Sequence, residues 1–295
     1  MHKEREFKSM GYFIENYRYR VCADCCGAEL SSIWDKKLKR ELLWQGDPTV
    51  WSGRSPLLFP VVGKVKDDRY TYHCQSYAME KHGFARHSQF LPASQTPQEM
   101  AFILRQNEDT LRCYPFPFTL TVSYRLLDVG LQIRYDVENT GERLMPFSLG
   151  AHPGFNCALG DALVFPGQTR LTFYRLNRDM LLSTAADILP LEGERLAISR
   201  DLFANDALIM RDIPFSQVEL VRQEGVRVRV DFAGAPCLGI WARHGAPYVC
   251  IEPWHGLDDD RNATGDLFDK PFIQTLAPGE TFSWAMQITS ELEES

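Results

Sequence analysis

The chain has 295 residues, 32 basic and 39 acidic side chains, a net charge of −7 and 44% hydrophobic residues. A chain of this length buries roughly three quarters of its unfolded surface, so it needs no disulfide or metal staple, and intrinsic disorder is excluded for the chain as a whole. The acidic balance, with no Lys/Arg-rich block, excludes nucleic acid and anionic membrane surfaces as partners and leaves small neutral or modestly charged ligands.

The first residues, Met1 to Glu6, carry charges of both signs and precede no apolar run, and no segment approaches the ~18 apolar residues of a membrane span, so a soluble cytoplasmic protein is expected. Eight cysteines are scattered along the chain, and only Cys22 and Cys25 form a C-x-x-C. No second pair completes a four-ligand metal site, so these two read as small residues at the end of a packed strand rather than as ligands or a redox pair. Next, Trp51 to Gly63 sets Arg54 beside a Pro-bounded apolar run, at the rim of a core, where its planar fork can hold oxygens or form a structural ion pair. The segment His82-Gly83-Phe84-Ala85-Arg86-His87 places a His and an Arg four positions apart around a glycine that allows close backbone approach.

Period-two alternation marks strands along the whole chain. Leu120, Val122, Tyr124 and Leu126, then Leu131, Ile133, Tyr135 and Val137, alternate with polar residues across an Asp128-Val129-Gly130 turn and predict a hairpin. In Leu149 to Phe155 an imidazole, His152, is flanked by small residues and Pro153, in a stretch too apolar for a solvated loop. Helical signals are confined to short stretches, around Arg178 to Ile188 and at the Ser199 to Ala204 turn, where Ser199 is a candidate cap. Strands resume at Val226 to Phe232. Tyr248 to Gly256 is an apolar strand expected to end on Glu252, because Pro253 cannot donate to a ladder; a Glu there is costly unless it is used or paired. The acidic run Asp258 to Asp260 reads as a solvated turn, with a second carboxylate or a cation site as the alternative, and Phe282 to Ile288 supplies the last strand. No linker, repeat or nucleotide-binding glycine loop interrupts the pattern, so residues 1–295 are expected to form one all-β domain, a large antiparallel sandwich with few short helices.

Two chemistries fit the imidazoles and the carboxylate. In one, an imidazole and a carboxylate act as general acid and base on opposite sides of a sugar ring. In the other, His82, His152 and Glu252 bind iron as a two-His, one-carboxylate face, although no short H-x-H or H-x-D/E segment supports it. The order G-R-S-P-x-x-F-P (Gly53 to Pro60), H-G-F-A-R (His82 to Arg86), G-A-H-P-G-F (Gly150 to Phe155) and I-E-P-W (Ile251 to Trp254) resembles the aldose 1-epimerase, or mutarotase, family, from Gly27-Ala28-Glu29-Leu30 to the last strand. The shorter bacterial branch is the nearest in pattern. The resemblance implies the galactose mutarotase-like supersandwich and a cofactor-independent isomerase with no metal. It implies His152 as the acid that protonates the ring oxygen and Glu252 as the base at the anomeric hydroxyl. It implies His82, Arg54 and Asp206 as sugar-binding residues, with Arg86 beside them. The ligand expected is an aldohexose or its 6-phosphate, since Arg54 and Arg86 together could embrace a phosphate; a non-catalytic carbohydrate-binding module on the same sandwich is the other alternative. Trp241 or Trp254 is a candidate platform for the sugar, and a monomer or homodimer is expected.

Overall fold

A computed structural model describes residues 11–292; the charged Met1 to Glu6 segment lies outside them. Strands dominate. Among the described residues the only α-helix is Glu108–Cys113, opened by Asn107 in a reciprocal capping box with Thr110, and three single-turn 3-10 segments accompany it.

Two large antiparallel sheets form the body. The nine-stranded sheet runs, in spatial order, Arg195–Ala197, Ala162–Val164, Gln217–Val221, Val226–Asp231, Thr281–Leu292, Gly130–Asn139, Phe118–Leu127, Glu99–Arg105 and Leu91–Gln95. The predicted hairpin lies within it, closed where Leu127 pairs with Gly130. The eight-stranded sheet is built around Tyr248–His255, with Cys237–Trp241 along one side and Leu149–Ala151 and Gly154–Asn156 along the other. Leu208–Arg211, Arg170–Leu176 and Leu182–Pro190 continue it outward, and Leu57–Leu58 pairs beyond Leu149–Ala151.

The alternation of each strand of the eight-stranded sheet divides its residues between two environments. Leu238, Ile240, Val249 and Ile251 join the large apolar core that includes Val228, Val230, Met286 and Ile288 of the other sheet. His255 is driven onto the Phe282 and Trp284 rings of that sheet, with centroids 5.1 and 5.0 Å away. Ile209, Cys237 and Trp254 belong instead to a small apolar cluster on the opposite face. That second face carries the cavity.

Three local expectations are corrected. The Arg178 to Ile188 stretch is not helical: Leu182–Pro190 pairs with Arg170–Leu176. The Asn177 side chain accepts the Asp179 and Leu181 N–H groups, which closes a tight turn where a helix would have begun. At Ser199 to Ala204 only successive turns form, closed by Leu202 N–H to Ser199 O and Ala204 N–H to Asp201 O. Glu252 does not end its strand, which continues through Pro253 to His255. Ile251 N–H donates to Pro153 O, so by alternation the nitrogen of Pro253 faces the same side. There it costs one ladder bond and leaves the pairing to Cys237–Trp241 intact.

Candidate functional site

The centre of the site follows from strand register. Leu149 and Gly150 pair with His255 and Trp254, and Gly154 to Asn156 pair with Cys250 to Tyr248. The same register carried through 151–153 sets His152 opposite Glu252. The N–H of Gly154 turns away to Arg54 O, so Gly154 and Cys250 form a non-hydrogen-bonded pair, and so do His152 and Glu252 two residues on. At such positions facing side chains approach most closely. His152 Nε2 accordingly lies 3.1 Å from a Glu252 carboxylate oxygen.

Glycines shape the floor around this pair. A Cβ on Gly150 or on Gly239 would stand 2.6 Å from the Trp254 indole, so only glycine on both flanking strands lets the ring lie flat across them. Gly154 makes the same allowance for Trp51. Trp51 stacks on Tyr248 at 5.1 Å and covers His152 at 5.3 Å, while the Trp241 ring meets His152 at 5.7 Å.

His82 reaches the pair from a separate segment. His82 N–H donates to Gly63 O, and Phe59 N–H and Ala85 N–H bind His82 O and Phe59 O, so the H-G-F-A-R turn is laced to the Phe59 to Gly63 chain. Gly83 (φ +68°) sits 2.3 Å, measured from an added Cβ, from Phe59 O, an approach no other residue permits. Gly63 N–H donates to His82 Nδ1 at 3.1 Å, which assigns the ring proton to Nε2 and makes that nitrogen a donor. The His82 and His152 rings meet edge to face at 5.9 Å.

These groups line a cavity of ≈ 240 Å³, completed by Lys81, Arg86, Asp206, Asp258 and the apolar wall of Leu176, Met180, Ala207 and Ile209. Sites for drug-sized ligands span ~300–1,000 Å³, so this one suits a small ligand. Burial dominates its electrostatics. It pushes the His152 imidazole down to about 3, with the Lys81 and Arg86 charges acting the same way. Burial also holds the Glu252 carboxyl well above the usual carboxylate range, opposed by Lys81 and reinforced by Asp206 and Asp258. His82 is likewise kept neutral by burial and by neighbouring cations. For both members of the facing pair burial favours the neutral form, imidazole and carboxylic acid.

Five of the six residues singled out in the sequence line this cavity: His152, Glu252, His82, Arg86 and Asp206. Arg54 does not. Its guanidinium reaches Asp24 at 3.6 Å, and its backbone does the structural work, with N–H to Glu29 and C=O to Gly154. Both candidate platforms, Trp241 and Trp254, are on the wall. Lys81 and Trp51 are not singled out in the sequence, and Asp258 is considered there only as a second carboxylate or cation ligand. The acidic run is a correction in its own right, because Asp258 and Asp259 are buried rather than solvated. Asp258 accepts Lys64 N–H at 2.7 Å beside the cavity, and Asp259 pairs with the buried Lys270 at 2.9 Å. Among the described residues the potential ligands that gather here are His152, Cys250 and Glu252, and His82, which accepts Gly63 N–H on Nδ1, is not among them. Cys22 and Cys25 join no such group among the described residues. Among the described residues no helix is long and apolar enough to cross a membrane.

A deep mutarotase-like sandwich with a His–Glu pair on its open face defines a class, and the family model for aldose 1-epimerase matches residues 15–289: the chain belongs to that family. It is 31% identical to the protein LacX of Lactococcus lactis subsp. lactis over 293 residues, 94% of this chain and 98% of the relative. Among solved structures it is similar to a galactose mutarotase-related enzyme from Lactobacillus acidophilus (34% identity, TM-score 0.88, 96% of this chain and 97% of that one). A galactose mutarotase-like protein from Lactobacillus casei superposes equally well (29% identity, TM-score 0.88, 95% of this chain and 100% of that one).

Proposed function

We propose that the cleft interconverts the α and β anomers of a free aldohexose by general acid–base ring opening and reclosure. The observation that carries this reading is the facing pair, His152 Nε2 and Glu252 at 3.1 Å, in a cavity sized for one pyranose.

The proton inventory fits the reaction. To open the ring, the group at the ring oxygen donates a proton while the group at the anomeric hydroxyl accepts one. With His152 at the ring oxygen and Glu252 at the hydroxyl, opening begins from imidazolium and carboxylate and ends with neutral imidazole and carboxylic acid. Burial favours that second arrangement, so the dry cleft stabilises the pair as it stands once the ring has opened. The aldehyde then rotates about C1–C2, and reclosure on its other face returns both protons. One proton serves the pair throughout, and no cofactor enters the cycle. His82 Nε2–H donates to the ring-oxygen side, Asp206 and Asp258 accept from distal hydroxyls, and Trp241 and Trp254 offer apolar faces to the ring.

Charge supports a neutral sugar over its 6-phosphate. Arg54, one half of the expected phosphate clamp, is paired with Asp24 outside the cavity. Arg86 donates to Lys81 O and lies 3.6 Å from Glu80. Asp206 and Asp258 line the same space together with Lys81 and Arg86. Polarimetry or NMR on fresh α-glucose, α-galactose and α-glucose 6-phosphate tests the reading, with acceleration of the free hexoses expected. More than tenfold preference for the phosphate overturns the substrate choice, and tight sugar binding without acceleration makes the protein a binding module.

A further inference from the structure

Cys250 has no part in the acid–base cycle, yet it stands two residues before Glu252 on the same strand and therefore on the same face. Potential ligand atoms of His152, Cys250 and Glu252 all lie within 4.8 Å of one another, and all three residues are buried. Cys250 is fully buried, and its Sγ enters no hydrogen bond among the described residues. One imidazole, one thiol and one carboxylate are the donor types of tetrahedral zinc sites that keep a fourth position open. Ligands at ~2.0–2.3 Å from a tetrahedral ion stand roughly 3.5 Å apart, so the three atoms need only modest contraction and rotamer adjustment to meet one ion. The sulfur excludes Mg²⁺ and Ca²⁺, which take oxygen donors. Entry is available from the cavity, since the His152 side chain is 11% exposed.

We propose that His152 Nε2, Cys250 Sγ and a Glu252 oxygen form a three-ligand site for a thiophilic divalent ion, Zn²⁺ or Co²⁺, that shuts the cleft to catalysis. On binding, the Cys250 thiol and the Glu252 carboxyl each release a proton to solvent, the metal–sulfur and metal–oxygen bonds form, and the imidazole lone pair and the carboxylate are withdrawn from the sugar. The open fourth position faces the cavity and takes water or a sugar oxygen. Metal and productive sugar binding are therefore mutually exclusive. Inhibition rests on the acid–base reading above; the ligand set does not.

The test is a Co²⁺ titration of the full chain, followed by absorption, with Zn²⁺ inhibition of mutarotation in parallel. Intense visible bands of tetrahedral cobalt and a near-ultraviolet thiolate-to-cobalt band are expected to saturate at one equivalent. Exposed thiols are controlled by Cys26→Ser and Cys74→Ser, which should leave the bands in place. Cys250→Ser should abolish the charge-transfer band and raise the zinc concentration for half-inhibition at least tenfold, with metal-free turnover retained in chelator. Cys250→Ala serves the same purpose should a buried serine hydroxyl prevent folding. A band that is absent, or that persists in the Cys250 variants, overturns the site, as does unchanged zinc sensitivity. Cobalt bands without turnover in the metal-free protein would instead count against the acid–base reading and leave the metal site standing.

Discussion

Glu252→Gln is the most discriminating perturbation of the pair. Glutamine preserves the shape of the carboxyl, and its amide can donate to the unprotonated His152 Nε2, so the 3.1 Å contact survives. What is lost is the capacity to take and return a proton. General acid–base catalysis by one positioned group is worth ~10²- to 10⁴-fold, or about 2.7 to 5.5 kcal/mol of barrier at 1.36 kcal/mol per decade. Turnover in polarimetry should fall by that factor. Stability should behave differently. Glu252 is 2% exposed and held in its neutral acid form, so near pH 5 the neutral amide changes stability by less than ~1 kcal/mol, about 2–4 °C in Tm for a chain of this size. The sign reverses the usual carboxylate case. A group whose folded pKa is raised stabilises the fold below its ordinary pKa and loses that contribution as the pH climbs through the folded value. The variant has no carboxyl to ionise, so its Tm relative to wild type should rise from pH 5 to pH 9. Turnover within tenfold of wild type would refute the proton-transfer role. A Tm drop beyond ~5 °C at pH 5 would show that a charged Glu252 holds the fold together.

Two further outcomes test how the scaffold serves the site. Gly63→Ala forces a left-handed conformation (φ +68°) on a residue whose Cβ would lie 2.2 Å from Asp258 Cγ; with ~1–2 kcal/mol for the backbone and ~1–3 for overpacking, urea unfolding should show a loss of roughly 2–5 kcal/mol, and a loss below 1 would contradict the packing. His255, packed between Phe282 and Trp284, is pushed down to about 4 by burial, so its contribution is present above 6.5 and is lost as the pH falls towards 4. That loss is ~3 kcal/mol at pH 4, and His255→Leu should flatten the acid side of the stability profile by that amount; parallel profiles for the two proteins would sink the assignment.

Much of this architecture was legible because period-two alternation is a local signal. The Phe118–Leu127 and Gly130–Asn139 hairpin and the strands ending at Asp231 and Leu292 lie where alternation put them. The failures share a cause, which is that pairing partners distant in sequence decided the outcome. Leu182–Pro190 has an Ala-Ala-Asp stretch compatible with a helix and becomes a largely exposed strand because Arg170–Leu176 offers it a ladder. Pro253 looked like a terminator because its missing N–H was assumed to be needed. Asp258 and Asp259 looked solvated because their partners, Lys64 N–H and Lys270, come from elsewhere in the chain. Arg54 was placed in the site by its motif, but its side chain is engaged by Asp24. Lys81 carried no signal apart from its neighbour His82.

The facing pair of His152 and Glu252 is set by the sheet register, with prolines beside it where a ladder would be regular. Pro153 and Pro253 both occupy hydrogen-bonded positions next to the His152 and Glu252 pair, so each deletes one N–H and the local ladder keeps bonds such as Ile251 N–H to Pro153 O. The cost is two missing bonds, on the order of 1 kcal/mol each. The cross-strand geometry survives because pairing resumes on both sides, at Gly150 with Trp254 and at Gly154 with Cys250. A slip of one residue would turn Glu252 and Trp254 into the core and bring Ile251 and Pro253 to the cavity, destroying the site and the packing together. Glu252 is thus held by the same constraint that buries Val249 and Ile251, and its orientation is as well determined as theirs. A loop-borne carboxyl could relax away from an unfavourable dry environment. This one cannot, so the free-energy cost of desolvating it is met by the folding of the whole sandwich.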